Sequence, residues 1–332
     1  MKKHNLMMFA AGSILAVAAL AGCNGNNKIK IGILQPAEHK ALSAARAGFV
    51  DCLATNGYGE DKVEFIYRNA GGNAADIVAY AKDLVGRCDM TFGIGTGASQ
   101  QLRSSAIDKG NTNPILFSAV TDPVGAGLVT SLKNGSGFIT GTSDYFPELV
   151  ATQVNLVQQC MPNADKVGII YTQGETNSVA QANEAKAALE KVGIEVIVKT
   201  ATGPTDISST ASALAAIDGL DAIFVPTDNN IAANPASIKS AVQGKGILVV
   251  AGEEDMLAEC GSITLSIDYK KLGKMTGDMA VTILKGEKKP GELPVGAMTK
   301  EECEYIYSSA NATASGVTIP DALKTMCRDI SK

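Results

Sequence analysis

Seven short polar stretches in this chain carry the residue types that small-molecule chemistry needs, and each follows an apolar run. They are Gln35-Pro36-Ala37-Glu38-His39, Asn69-Ala70-Gly71, Gly95-Thr96-Gly97-Ala98-Ser99, Ser118-Ala119-Val120-Thr121-Asp122, TQGETNS at 172–178, Thr227-Asp228-Asn229-Asn230 and Gly252-Glu253-Glu254-Asp255. Hydroxyls, amides and carboxylates brought together at one crevice can hold a small polar ligand. Asp122 and Asp228 are candidates to meet a ligand ammonium, and each is equally well a turn residue. The backbone of Gly95-Thr96-Gly97 opens a helix and could hold a carboxylate there. GIGTGAS at 93–99 is only loosely like a dinucleotide fingerprint, since it follows the third strand and has no ribose-binding acid placed for it. Glu253, Glu254 and Asp255 read first as a solvated surface run, with at most one member reaching a site.

Catalysis finds little in these stretches. The chain has two histidines, His4 and His39, and lacks a G-x-S-x-G elbow and metal-ligand spacing, so no metal or cofactor is called for. His39 lies between a strand and a helix, where capping, surface exposure and ligand contact are comparable readings.

Positioning such loops requires strands that end side by side. The periodicity predicts strands at 30–34, 63–67, 90–94 and 115–120, alternating with helices at 42–55, 74–85 and 99–109. The same order returns with strands at 166–171, 195–199, 222–225 and 247–251 and helices at 179–192, 207–216 and 235–243. Lys30-Ile31-Gly32-Ile33 matches Lys166-Val167-Gly168-Ile169 at an offset of 136 (166 minus 30), and Asp89 matches Asp221 at 132 (221 minus 89). Strands alternating with helices of this length mean parallel sheets. The fold class expected is therefore α/β, with two Rossmann-like parallel-sheet lobes joined by three crossings. The expected division is 28–143 plus 265–290 for the first lobe and 144–264 plus 291–332 for the second. Residues 140–147 read as a polar connection, 269–285 as an amphipathic helix packed on the first lobe, and 288–294 as the third crossing. Two lobes joined in this way can rock about a hinge and close on a ligand held in the crevice.

The 332 residues include 45% hydrophobic and 19% charged ones, enough for two such lobes. The first 23 read as an export signal, with Lys2 and Lys3, an apolar core at 6–19, and Leu20-Ala21-Gly22-Cys23. Without Lys2 and Lys3 the formal charge moves from −5 to −7, and an acidic surface without basic clusters argues against nucleic acid. Beyond Cys23 there remain cysteines 52, 88, 160, 260, 303 and 327. Disulfides are expected between Cys52 and Cys88 and between Cys303 and Cys327, each pair within one lobe, with buried thiols as the alternative.

Leu-Ala-Gly-Cys at 20–23 resembles a bacterial lipobox, which implies lipid attachment to Cys23 and a place on the extracytoplasmic face of the cell membrane. FSAVTDPVGAGLV (117–129), GTSD (141–144), GETNS (174–178), PTDNN (226–230) and DYKKLG (268–273) resemble the exported substrate-binding lipoproteins of ABC importers, the tryptophan/tyrosine-type group above all. The resemblance implies a periplasmic-binding-protein type I-like fold and an α-amino acid, aromatic by preference, bound between the lobes. It implies a monomer, an importer permease as partner, and no enzyme activity. By position the contacts would include Thr96, Ala98, Ser118, Asp122, Asn177, Ser178, Asp228 and Asn229. The wider set drawn from the loops adds Gln35, Glu38, His39, Gly97, Thr121, Glu175 and Glu253, with Tyr145, Phe146 and Tyr171 as walls for an aromatic ring or as core. A receptor for a sugar, nucleoside or branched-chain amino acid, and a lipid-anchored α/β enzyme, are the rival expectations.

Overall fold

The computed structural model describes residues 28–331; the signal and lipidation expected at Cys23 lie outside them. The first half runs β1 (Ile29–Gln35), α1 (Lys40–Thr55), β2 (Val63–Asn69), α2 (Ala74–Arg87), β3 (Met90–Ile94), α3 (Thr96–Lys109), β4 (Ile115–Ser118) and β5 (Ile139–Ser143). The second half runs α4 (Leu149–Cys160), β6 (Lys166–Thr172), α5 (Thr176–Lys191), β7 (Glu195–Ala201), α6 (Ile207–Leu214), β8 (Ala222–Val225), α7 (Asn229–Ala232), α8 (Ala236–Val242), β9 (Leu248–Ala251), α9 (Glu254–Glu259) and β10 (Ile263–Ser266). The chain then returns through α10 (Tyr269–Leu284) and β11 (Gly296–Ala297), and finishes with β12 (Glu304–Tyr307), α11 (Ser309–Ser315), α12 (Asp321–Met326) and β13 (Arg328–Asp329).

Two sheets result, ordered β11-β5-β4-β3-β1-β2 and β13-β12-β10-β9-β8-β6-β7. Every pairing is parallel except β10 with β12. The repeat read from the sequence is physical. Asp89 accepts from the Lys30 N–H and Asp221 from the Lys166 N–H, so the same carboxylate fastens the same strand end in each lobe. Gly32 lies under Leu84 as Gly168 lies under Leu214, each glycine leaving room for a helix to pack on its sheet.

Each sheet buries an apolar layer on both faces. In the first lobe α1 and α10 cover one face, and Phe49 of α1 stacks on Phe92 of β3 with ring centroids 4.1 Å apart. These two helices touch backbone to backbone: a Cβ at Gly273 would collide with the Ala45 carbonyl, and one at Gly48 with that of Lys270. α2 and α3 cover the opposite face.

Three expectations need correction. Residues 139–143 form a full strand rather than a polar connection, because their hydroxyls find partners inside the fold. Thr142 Oγ1 pairs with Thr276 Oγ1 at 2.8 Å and Ser118 Oγ at 3.0 Å, and Thr140 Oγ1 donates to the Leu293 carbonyl. β11 pairs with β5, which keeps the chain in the first sheet to Ala297, so the third crossing comes after that residue and not at 288–294. β10 lies wholly in the second sheet, across the expected boundary at 265.

The expected disulfides are also not formed: all six described cysteines are free thiols. Cys52 faces α10, 3.1 Å from Asp278 Oδ1, whereas Cys88 sits in the core on the other side of the sheet, beneath Gly32. Cys303 Sγ donates to the Thr299 carbonyl beside the first-lobe core, and Cys327 is buried in the second-lobe core.

Candidate functional site

The carboxyl ends of the two sheets' parallel strands face each other, the arrangement that gathers a ligand site in α/β folds. The lobes meet across this line. His39 Nε2 lies 3.1 Å from Asn229 Oδ1, and Lys40 Nζ lies 2.8 Å from Glu259 Oε1. The closed cleft holds two spaces. An outer chamber of about 250 Å3 is lined by Pro36, Ile77, Gly97, Glu175, Pro204 and Asn229, among others. An inner pocket of about 20 Å3 is lined by His39, Ala119, Asp144, Asp228, Glu253 and Tyr269, among others. Asn177 and Asn229 border both.

The outer chamber receives helix N-termini. α3 starts at Gly95, whose φ of 83° is the left-handed conformation that glycine adopts without strain, and the cap has no side-chain hydrogen bond. α5 starts at Glu175, also without a side-chain cap. Uncapped first-turn N–H groups and the positive end of the helix dipole favour a negative ligand group. Thr96 and Thr176 were expected in loops; both prove to be first helical residues, because the glycine before Thr96 and the turn before Thr176 let the helix begin sooner.

The inner pocket has the opposite character. Asp144, Asp228 and Glu253 line it, Glu175 stands next to Asp228, and among the described residues no Lys or Arg lines either space. Glu253 caps α9 by accepting from the N–H groups of Asp255 and Met256, and burial, reinforced by the charge of Asp255, pushes its pKa up to about 8. Glu175 accepts from the backbone and side-chain N–H groups of both Asn229 and Asn230; burial first, and then the charge of Asp228, raise its pKa. Asp144 takes hydrogen bonds from Tyr269 and Thr121, each at 3.0 Å, and burial raises its pKa too. Ala119, at φ 57°, is one of two non-glycine residues in the left-handed region among those described, a strained conformation at the end of β4 beside the pocket.

Three buried polar atoms at or near the cleft have no hydrogen-bond partner among the described residues: His39 Nδ1 and Thr227 Oγ1, on residues that line the inner pocket, and Thr96 Oγ1, beside Gly97 of the outer chamber but on a residue that lines neither space. Buried polar atoms are nearly always satisfied, so orphans grouped at a cleft mark where a ligand would bond.

Of the residues expected from sequence, His39, Gly97, Glu175, Asn177, Asp228, Asn229 and Glu253 line the two spaces. Thr121 stands just behind, bonded to Asp144 and 3.5 Å from Gln181 Nε2 of the second lobe. Ser178 donates to the Thr227 carbonyl and supports that loop. Others are engaged elsewhere. Gln35 is buried and bonded to the Ala37 carbonyl and to Arg46. Glu38 sits on the exposed rim; burial pulls its pKa up, but Ser43, Tyr67, Arg46 and Asn69 outweigh it and hold the pKa below the usual value. Ala98 is core. Ser118 bonds Thr142 inside the first lobe, and exposed Asp122 accepts from the Gly125 N–H as a turn residue.

Tyr145, Phe146 and Tyr171 pack into or against the cores and line neither space. Asp144, Tyr269 and Pro204 were not anticipated as site residues. Asp144 follows β5, which reads as loop, and Tyr269 opens α10 after its N-cap Asp268; the signal for both was that they fall in the stretches GTSD and DYKKLG that carry the resemblance.

Comparison with known proteins places this geometry in context. Residues 30–330 match the family described as ABC transporter substrate binding protein. A tyrosine-binding protein of Clostridioides difficile (strain R20291) is 31% identical over 324 residues, covering 92% of this chain and 91% of its own. The crystal structure of an ABC domain in complex with L-Trp from Streptococcus pneumonia superposes with a TM-score of 0.83 at 33% identity, covering 91% of this chain and 99% of that one. A ligand-free, open structure of a substrate binding protein with adhesive properties from Clostridium difficile has a TM-score of only 0.66 at 30% identity, covering 92% and 99%. A structure with bound myo-inositol from Bacillus halodurans, at 16% identity, 86% and 96% coverage and a TM-score of 0.61, shares the fold alone.

Proposed function

The chain belongs to the ABC transporter substrate binding proteins, and from that premise we propose that it binds an aromatic α-amino acid between its lobes and closes over it. The observation that carries the reading is the division of charge across the cleft. Uncapped N-termini of α3 and α5 meet at the outer chamber, and carboxyls crowd the inner pocket with no Lys or Arg among the lining residues of either. A zwitterion matches both halves, its carboxylate toward the helix ends, beside a Glu175 whose raised pKa favours the neutral carboxyl, and its ammonium toward the acids of the inner pocket. A neutral sugar matches neither. Pro36, Ile77 and Pro204 give the chamber apolar walls for a ring, and 250 Å3 lies below the roughly 300–1,000 Å3 of drug-sized sites, which suits one amino acid. The relatives named for tyrosine and solved with L-Trp support the same class.

In the same proposal the protein is an extracytoplasmic receptor held by lipid on Cys23, delivering its ligand to a membrane permease and performing no reaction on it. Supporting the binding role, the carboxylates of Asp228, Glu175 and Glu253 are tied into helix starts and loops by several N–H groups each. No described helix is long and apolar enough to cross a membrane. Calorimetric titration with L-tyrosine, L-tryptophan and L-phenylalanine, against L-leucine, ribose and adenosine, tests the ligand class. Saturable binding confined to the aromatic amino acids is expected; binding of ribose or adenosine alone would overturn it.

A further inference from the structure

His39 belongs to the first lobe and its partners to the second, so their bonding is made only when the lobes meet. Asn229 is the pivot. Its Nδ2–H donates to Glu175 Oε2 at 2.6 Å, and its backbone N–H donates to the same oxygen at 3.1 Å. Asn230 gives two more N–H bonds to Oε1, which holds the Glu175 carboxyl in place. With Nδ2 so engaged, the other end of the Asn229 amide is the carbonyl oxygen Oδ1, which can only accept. His39 Nε2 is 3.1 Å away and must therefore carry the hydrogen.

Burial is the largest influence on the imidazole and holds its pKa below the usual value, against the pull of Asn229, Glu38 and Asp228. A neutral ring has one N–H. Nδ1 is then a bare lone pair. That atom is fully buried and unpartnered, on a ring that lines the inner pocket with Asp144, Asp228 and Glu253.

We propose that His39 is a ligand-reading residue whose Nδ1 accepts a hydrogen bond from the bound molecule's ammonium, and that Glu175 and Asn229 are positioning residues which select the tautomer that makes this possible. The inference rests on the amino-acid reading above and adds the atom that reads the amine. It also gives closure a chemical consequence. Apart from the second lobe the His39 ring can place its hydrogen on either nitrogen; against Asn229 only the accepting form of Nδ1 remains. A ligand amine is rewarded by the closed arrangement alone, the differential affinity that a population shift requires.

The composition permits a clean test, since the chain holds only His4 and His39. In a chain carrying His4→Gln and labelled with 15N-histidine, every histidine nitrogen signal comes from His39. Saturated with L-tryptophan, Nε2 should appear protonated and Nδ1 unprotonated, with the Nδ1 resonance displaced by hydrogen bonding relative to the free protein. Hydrogen found on Nδ1, an imidazolium in the complex, or an unmoved Nδ1 resonance while calorimetry records binding would overturn the proposal and leave the receptor reading intact. If none of the aromatic amino acids binds, the receptor reading falls instead. His39→Gln keeps an N–H donor for Asn229 and removes the acceptor. It should weaken L-tryptophan binding at least about tenfold with the melting temperature of the free protein unchanged; unaltered affinity would overturn the assignment.

Discussion

Residues related by the internal repeat do opposite work in the two lobes. Thr96 and Asp228 are equivalent at the offset of 132 (228 minus 96), each at the start of a helix after the third strand of its lobe. Asp228 is saturated: it accepts from the backbone and hydroxyl of Thr172 and from the N–H groups of Asn230 and Ile231. Thr96 is buried to 3% exposure, yet its hydroxyl has no partner. His39 and Glu175, at offset 136 (175 minus 39), repeat the contrast, with a bare Nδ1 on one and four N–H partners on the other. At these two pairs of positions the second lobe has spent its polar groups on its own rigidity, while the first keeps polar atoms free; Thr227 Oγ1 is the second-lobe atom that departs from the contrast. A duplicated scaffold can thus divide one task, with one half as a rigid wall and the other as a reader.

The largest test of this division is Asp228→Ala. Three buried donors and one partly buried one lose their acceptor and α7 its cap, so unfolding stability should drop by about 2–4 kcal/mol before any ligand is added. Denaturant unfolding reads this directly. If stability holds and only ligand affinity falls, Asp228 belongs with the readers and the contrast collapses.

A smaller effect of the opposite kind is expected at Thr96→Val, which keeps the shape and removes only the unpartnered hydroxyl. Stability should stay within about 0.5 kcal/mol, and affinity for L-tryptophan should weaken about five- to tenfold. A loss of stability as large as that at Asp228 would show that the hydroxyl serves the fold.

The smallest effect concerns pH. The Glu253 pKa is raised from 4.5 to about 8, and that of Glu175 is raised as well, so the closed cleft holds protons that water-exposed carboxyls would have released. Their contribution to closure is present in full below about pH 4.5 and is lost as pH rises toward about 8. His39 has the opposite sign: its pKa is lowered from 6.5, so its contribution is lost as pH falls through that region. With three carboxyls of raised pKa, Glu253, Glu175 and Asp144, against one imidazole, the ligand-free protein should open as pH rises. The radius of gyration from small-angle scattering should increase over that range, and more steeply in His39→Gln. A radius that shrinks with rising pH would mean that the first lobe governs closure.

How far the sequence reaches can be judged at single residues. The repeat of Lys30 and Asp89 in Lys166 and Asp221 was visible as spacing and proved to be the same hydrogen bond twice. Glycine and proline punctuation located the strand ends, and with them the loops that line the cleft. The strand ITGTS at 139–143 was invisible: it reads as loop because buried hydroxyls look polar until their partners, such as Thr276, arrive from far along the chain. Tyr145, Phe146 and Tyr171 could not be sorted between wall and core for a related reason, since an aromatic beside a strand points to either face according to which helix covers it.

By itself, then, the sequence determined the α/β alternation, the duplicated lobes and the set of loops from which a site could be drawn, because these follow from local periodicity and turn chemistry acting over a few residues. Which members of that set face the ligand was decided only by tertiary structure. Asp122 and Asp228 look alike in the chain, both acids in a turn after a strand. One accepts a turn N–H on the exposed surface, and the other is buried in the cleft beneath the Thr172 loop. A hydrogen bond depends on which donors the fold brings within about 3 Å, and for Asp228 two of those donors come from Thr172, 56 residues away.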